Sequence, residues 1–201
     1  ILIACEYSGI VRDAFTRKGH DAMSCDILPT ESKGKHYQGD IFDVLYDDWD
    51  MMIAHPPCTH LSVSGARWFT EGKKPMYLRE QALDFVKKLM EAPIEKIAIE
   101  NPVSVISSHI RKSDQMINPY QFGHKEQKRT CLWLKNLPKL KETNNVKEEM
   151  MKIPIAVRTR IHWLGSRKGK ERSKFYTGIA EAMADQWGNE VEEEKQMSLI
   201  K

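Results

Sequence analysis

The sequence predicts an α/β fold: a Rossmann-like, mostly parallel sheet with helices on both faces. Three observations predict it. Short apolar runs alternate with segments of helical period, glycines and prolines punctuate the joins, and carboxylates recur just after the apolar runs. Ile1-Leu2-Ile3-Ala4-Cys5 is the first strand, and Gly9 then introduces Ile10, Val11, Ala14 and Phe15 at helical spacing up to Lys18-Gly19. Residues 21–26 form a second short strand closing on Asp26. Asp50-Met51-Met52-Ile53-Ala54 is another strand and runs into His55-Pro56-Pro57-Cys58. Pro75, with φ pre-set for a helix, starts an amphipathic helix with Leu78, Ala82, Phe85, Val86 and Leu89 on one face. Lys96-Ile97-Ala98-Ile99 is the next strand, ending before Glu100-Asn101. Thr130-Cys131-Leu132-Trp133-Leu134 is a further strand, and Ile179, Ala182, Met183 and Trp187 mark a closing helix. The acidic stretch 190–201 is expected to fray.

Length and composition set the outer limits. A chain of 201 residues suits one domain, and 41% hydrophobic with 29% charged residues is a globular rather than a disordered composition. The longest apolar run, residues 1–5, is far too short to span a bilayer. No basic segment followed by an apolar stretch opens the sequence, so a cytoplasmic address is the expectation. Cys5, Cys25, Cys58 and Cys131 are widely spaced, which fits neither a disulfide scaffold nor a zinc ribbon. His55, Cys58 and His60 form an irregular group with poor zinc spacing, and no metal is expected. Charge is uneven: residues 1–60 hold 5 basic against 10 acidic side chains, and residues 121–175 hold 15 against 5. That split suits a neutral or cationic cofactor at one end and a polyanion at the other; a solvated lysine-rich face is the plainer reading.

In open α/β sheets ligands lie at the carboxyl ends of the strands. Those ends carry Tyr7-Ser8-Gly9, Asp26, Gly39-Asp40, Pro57-Cys58 and Glu100-Asn101. Each alone also reads as a cap or turn. In this order and spacing they resemble the cytosine C5-methyltransferase family, through residues 1 to about 134 and again, weakly, over 172–188.

The resemblance implies S-adenosylmethionine as cofactor. Tyr7-Ser8-Gly9-Ile10 is similar to the family's first motif, beneath the methionine part of the cofactor, with Val11 where a second glycine is usual. Asp26 matches the carboxylate for the ribose hydroxyls, Asp40 the acceptor for the adenine amino group, and Pro57 lies on the cofactor side. His55-Pro56-Pro57-Cys58-Thr59-His60-Leu61-Ser62 resembles the nucleophile motif, with Cys58 adding to carbon 6 of cytosine. A free thiol, with pKa about 8.5, needs activating help, and Arg67 is close in sequence. Glu100 matches the acid at ring nitrogen 3, a role suited to a partly desolvated carboxyl with a raised pKa, and Asn101 would hold the base edge.

Gln127-Lys128-Arg129-Thr130-Cys131 is similar to the family's Gln-x-Arg-x-Arg motif, with Gln127 and Arg129 on the substrate and Cys131 in place of the second arginine. The region after Arg172 lacks the family's Gly-Asn core. The family implies DNA as the polymer, with RNA left open, and a compact, phage-like enzyme for which a monomer is plausible. Residues 135–171 stand where full-length members carry a target-recognition domain, and Lys135, Lys139, Lys141, Lys147, Lys152, Arg158 and Arg160, then Arg167, Lys168, Lys170, Arg172 and Lys174, suit phosphate contacts. The loop 62–69, with Ser62, Arg67, Trp68 and Phe69, would close on an extruded base; Trp68 and Phe69 also read as core anchors. Two alternatives remain open. One is a binder that keeps the cofactor pocket without turnover. The other is an RNA cytosine or exocyclic-amino methyltransferase, since His55-Pro56-Pro57-Cys58 occupies the place of an Asp/Asn-Pro-Pro-aromatic tetrapeptide.

Overall fold

A computed structural model describes residues 1–164 and 173–199. Seven strands build one sheet: β1 (Leu2–Ala4), β2 (Met23–Asp26), β3 (His36–Gln38), β4 (Met51–Ala54), β5 (Lys96–Pro102), β6 (Gln115–Ile117) and β7 (Thr130–Lys135). Their spatial order is β3-β2-β1-β4-β5-β7-β6. The pairs β1–β2, β1–β4, β2–β3 and β4–β5 are parallel, and β7 runs antiparallel to both β5 and β6. The fold class is therefore the α/β, mostly parallel Rossmann-like one. Strand order reverses at β1, which opens a crevice at the carboxyl ends of β1 and β4.

Alternation along the strands sends successive side chains to opposite faces. Ile1 and Ile3 join Phe15 of α1 (Ile10–Arg17) and Met183 and Trp187 of the long closing helix Thr177–Leu199 in one core. Leu2 and Ala4 join Val86 and Leu89 of the helix Met76–Met90, with Ile97, Ile99 and Trp133, in the other. Each fully buried Leu, Ile or Phe contributes about 1.5–3 kcal/mol by leaving water. In chain order the remaining helices make Arg67–Thr70 α2, Met76–Met90 α3, Ile106–His109 α4, Lys147–Met151 α5, Ile155–Arg158 α6, Arg160–Trp163 α7 and Thr177–Leu199 α8.

Four sequence expectations change. First, β5 does not stop before Glu100: its parallel pairing with β4 ends at Ala54↔Ile99, but β7 pairs onward through Asn101↔Cys131 and Pro102↔Thr130. Glu100 and Asn101 are thus held inside a strand. Second, Pro75 is the N-cap of α3 in extended geometry rather than its first helical residue. Third, β3 and β6 escape an apolar-run search because His36-Tyr37-Gln38 and Gln115-Met116-Ile117 are short, largely polar edge strands. Fourth, α8 runs on to Leu199 where fraying is expected from the acidic composition. Of the basic segment, Lys135 ends β7 and α5, α6 and α7 follow; Arg167, Lys168, Lys170 and Arg172 lie outside the described residues. Among the described residues no helix is long and apolar enough to cross a membrane.

Candidate active site

The site is built from five strand ends. After β1, Cys5 turns the chain with φ 58 and Gly9 with φ 75, both in the left-handed region. This turn aims the buried Glu6 back at α1, where its carboxylate accepts from Val11 N at 2.7 Å and Arg12 N at 3.2 Å. Glu6, which no strand-end motif points to, therefore caps the helix. Ser8 donates to the same carboxylate at 3.1 Å.

Arg12, on α1, is fully buried. Its guanidinium donates to Ser24 Oγ, Thr30 Oγ1, Ser32 Oγ and the carbonyls of Ser32 and Lys33, and pairs with Asp13. These bonds draw the 30–34 loop over the first turn. A Cβ built on Gly9 would clash with Ser32 Oγ and Arg12 Nη2, so both stand directly over that glycine. Asp26 and Asp40 end β2 and follow β3; each uses Oδ1 in a turn, accepting from Leu28 N at 2.9 Å and Phe42 N at 3.0 Å. The other oxygen of each has no partner among the described residues. Burial, chiefly, with the charges of Asp26, Cys25 and Asp40, pushes the Cys5 thiol far up, so Cys5 is no nucleophile.

The β4 and β5 ends form the other half. Ala54 and Ile99 are paired, so His55 and Glu100 emerge side by side, and His55 Nδ1 lies 3.3 Å from Glu100 Oε2. Asn101 Nδ2 donates to the Pro56 carbonyl at 2.8 Å, tying the Pro-Pro-Cys turn to β5. The turn closes through Ser62 N to Cys58 O at 2.9 Å and is laid along the β5 exit by Val105 N to Leu61 O and a Ser62–Ser104 bridge. Cys58, Ser62, Glu100 and Asn101 are thus gathered at one mouth. Cys58 is half-buried and Pro57 exposed.

Glu100 corrects an expectation. Burial raises its pKa, but the hydrogen bond from His55, the charge of Lys128 and the charge of His55 outweigh burial and hold it below the usual carboxylate value. It is an ionised partner of His55 at neutral pH, not a carboxyl held neutral. An ionised carboxylate only accepts, so Nδ1 carries the hydrogen. Three buried polar atoms of this mouth, His55 Nε2, Asn101 Oδ1 and Ser104 Oγ, have no hydrogen-bond partner among the described residues.

Residues 173–176, just before α8, lie over the mouth. Tyr7 Oη is 3.1 Å from Ser173 Oγ, Lys174 pairs with Glu31 at 3.0 Å, and the Phe175 ring lies 4.7 Å from the His55 ring. Tyr176 donates to Glu126 at 2.7 Å. Cys131, opposite Asn101, is buried in the second core, where burial chiefly pushes its pKa up and keeps the thiol protonated, so the position supplies a buried S–H and not a guanidinium. Gln127 is half-buried and held by its backbone N–H to Arg158 O at 2.8 Å, and Arg129 is exposed. Arg67 stacks over Trp68 at 4.7 Å. Phe69 is buried and Trp68 is 37% exposed, so of the two anchor candidates only Phe69 anchors.

A separate cleft of about 420 Å³ is lined by Met90, Ile97, Arg111, Trp133, Lys135 and Asn136, among others. Its cations are committed: Arg111 pairs with Asp114 and Lys135 donates to Ala92 O and Ile94 O. His55, Lys128 and Ser104 are functional candidates that motif reading passed over; the position before Pro56 was the available signal for His55.

No protein-family model and no curated protein matches the sequence. One similar solved structure is designated a DNA modification methyltransferase encoded within an E. coli prophage. The likeness has a TM-score of 0.44 and 14% identity, over 77% of this chain and 55% of that one. This chain thus spans about half the length of that structure. Strand order and direction, rather than this likeness, establish the fold class.

Proposed function

We propose that the chain is an S-adenosylmethionine-dependent cytosine C5-methyltransferase acting on DNA, with Cys58 as nucleophile and Glu100 as acid partner. The observation that carries the reading is the coupling of the two motifs. Asn101 holds the Pro56 carbonyl at 2.8 Å while Glu100 meets His55 at 3.3 Å, so the thiol turn and the acid strand are fixed to each other. Unpartnered Asn101 Oδ1 and Ser104 Oγ at the same mouth suit the amino edge of a base, which needs acceptors.

The cofactor fits on the acidic side. Asp26 and Asp40 each keep one carboxylate oxygen open, which suits ribose hydroxyls and an adenine amino group. Gly9 is covered by Ser32 and Arg12, so the methionine part would lie beside that turn, toward Tyr7 and Pro57, rather than on the glycine. When bound, S-adenosylmethionine supplies an electrophilic methyl group. The chain's own residues do the rest. The Cys58 thiolate adds to carbon 6 while Glu100, which takes up a proton as the base binds, passes that proton to ring nitrogen 3, and the Nδ1–H of His55 bonds the carboxylate left behind. After methylation a water in the mouth takes the carbon 5 proton, the carbon–sulfur bond breaks to return the Cys58 thiolate, and the nitrogen 3 proton goes back to Glu100, which restores the aromatic ring.

Nucleoside mass analysis after incubation with methyl-labelled S-adenosylmethionine and separate DNA and RNA pools tests this. Labelled 5-methylcytosine from DNA is expected. Label on an exocyclic amine favours the amino-methylating alternative, label in RNA moves the polymer, and no label with retained cofactor binding favours the non-catalytic binder. The basic later part makes affinity steeply salt-dependent and weakly selective among sequences, measurable by a salt titration on unrelated duplexes.

A further inference from the structure

We infer that the segment 62–79 is a binding surface for a single-stranded nucleic-acid strand, with Trp68 as the platform on which a base stacks. This deepens the reading above by naming the form in which the polymer is held, but its test needs no methyl transfer, so either can fail alone. Four observations converge. Trp68 is exposed to 37%, whereas Phe69 beside it is buried and fixes the loop. Cations surround the two rings: Arg67 is 4.7 Å and Lys73 4.9 Å from the Trp68 centroid, and Lys74 5.7 Å and Arg79 4.0 Å from that of Phe69. Within residues 62–79 these four face one acidic side chain, Glu71, which pairs with Lys73 at 2.7 Å.

Arg79 is the fourth observation. It is 8% exposed, Nε and Nη2 have no hydrogen-bond partner, and no carboxylate pairs with it among the described residues. A buried guanidinium on a ring face, with no carboxylate paired to it among the described residues, makes the field of this loop positive. Anions are drawn to it, and phosphodiesters are the anions that come with stackable rings attached. Tyr77, 55% exposed on the first turn of α3, continues the aromatic surface.

Arg67 and Lys73 lie against Trp68 without a strand present, but an exposed cation–π contact is weaker than base stacking on an indole. A base displaces them, and both long side chains swing to the flanking phosphates. The loop descends directly from the Cys58 turn through Ser62, so a strand held here leads to the mouth. A paired duplex keeps its base faces covered and cannot use Trp68, which is why a single strand or a locally opened one is specified.

Binding of a dT12 oligonucleotide and of a 12-base-pair duplex to the whole protein, followed by tryptophan fluorescence without cofactor, tests this. dT12 should quench emission and bind more tightly than the duplex at the same salt. Trp68→Leu should lose the quench and weaken dT12 binding about 10-fold, Trp68→Phe should recover most of the affinity without the quench, and thermal melting should be unchanged in both. Arg67→Ala with Lys73→Ala should flatten the slope of log K on log salt by about 1.4. Unchanged dT12 affinity in folded Trp68→Leu, or tighter binding to the duplex than to dT12, would overturn the assignment.

Discussion

The carboxyl edge of the sheet holds two buried polar clusters in opposite conditions. On the β1–β3 side, Arg12 is saturated: its donors reach Ser24, Thr30, Ser32, Lys33 and Asp13, and Glu6 satisfies the start of α1. On the β4–β5 side, His55 Nε2, Asn101 Oδ1 and Ser104 Oγ are buried and unmatched among the described residues. An unmatched buried polar group costs about 1–3 kcal/mol, so native folds keep few of them. Three in one mouth, beside a saturated neighbour built from the same kinds of residue, separates scaffold from site. The first cluster holds the loops in place, and under the proposed function the second would take groups a substrate brings.

The largest expected difference is in stability. Arg12→Leu strands the oxygens it serves and frees the 30–34 loop, at a cost of about 4 kcal/mol, which lowers Tm by about 8–16 °C in thermal denaturation. If instead Tm hardly moves, the saturated cluster is not scaffold. Glu100→Gln keeps the size and a hydrogen bond to His55 but cannot relay a proton. A loss of about 100-fold in kcat, measured as methyl transfer, is expected together with a lower Tm at neutral pH, where the charge of Glu100 contributes stability.

The same variant reads out the pair by pH. The pKa of Glu100 is lower folded than unfolded, so the charge contributes stability above the unfolded value of about 4.3 and loses it as pH falls through the folded value. Chemical denaturation of wild type against Glu100→Gln should show a stability difference that shrinks on acidification below about pH 4.3. A difference that grows instead would mean that burial outweighs His55 and Lys128. The smallest effect belongs to Ser104→Ala. Removing an unmatched hydroxyl should leave Tm unchanged within about 2 °C or raise it. The value of kcat/KM should fall about 10-fold, because a base donor then loses its acceptor.

The contrast also explains what was legible in the sequence. The strands β1, β2, β4, β5 and β7 and the helices α1 and α3 announce themselves because burial on both faces demands apolar runs and helical period. The edge strands β3 and β6 need neither and stay hidden. Cys58, Glu100 and Asn101 follow from motif order. The coupling of Asn101 to Pro56 depends on the β4–β5 register, which sequence spacing does not encode. Arg12 reads as one basic residue on a helix, since its partners lie up to 21 positions away. The ionised state of Glu100 depends on His55 and on Lys128 brought in from another strand's approach, so burial alone gives the wrong sign.

Mechanism-based trapping tests the central claim most directly. Fluorine at carbon 5 cannot leave as a cation, so once Cys58 has added to carbon 6 and the methyl has been accepted, the adduct cannot be resolved. With S-adenosylmethionine and a 5-fluorocytosine oligonucleotide, intact-mass analysis should show a denaturation-resistant complex in wild type and none in Cys58→Ala. A folded wild-type protein that binds the oligonucleotide and cofactor yet yields no covalent complex, or a Cys58→Ala protein that yields the same one, would contradict the account.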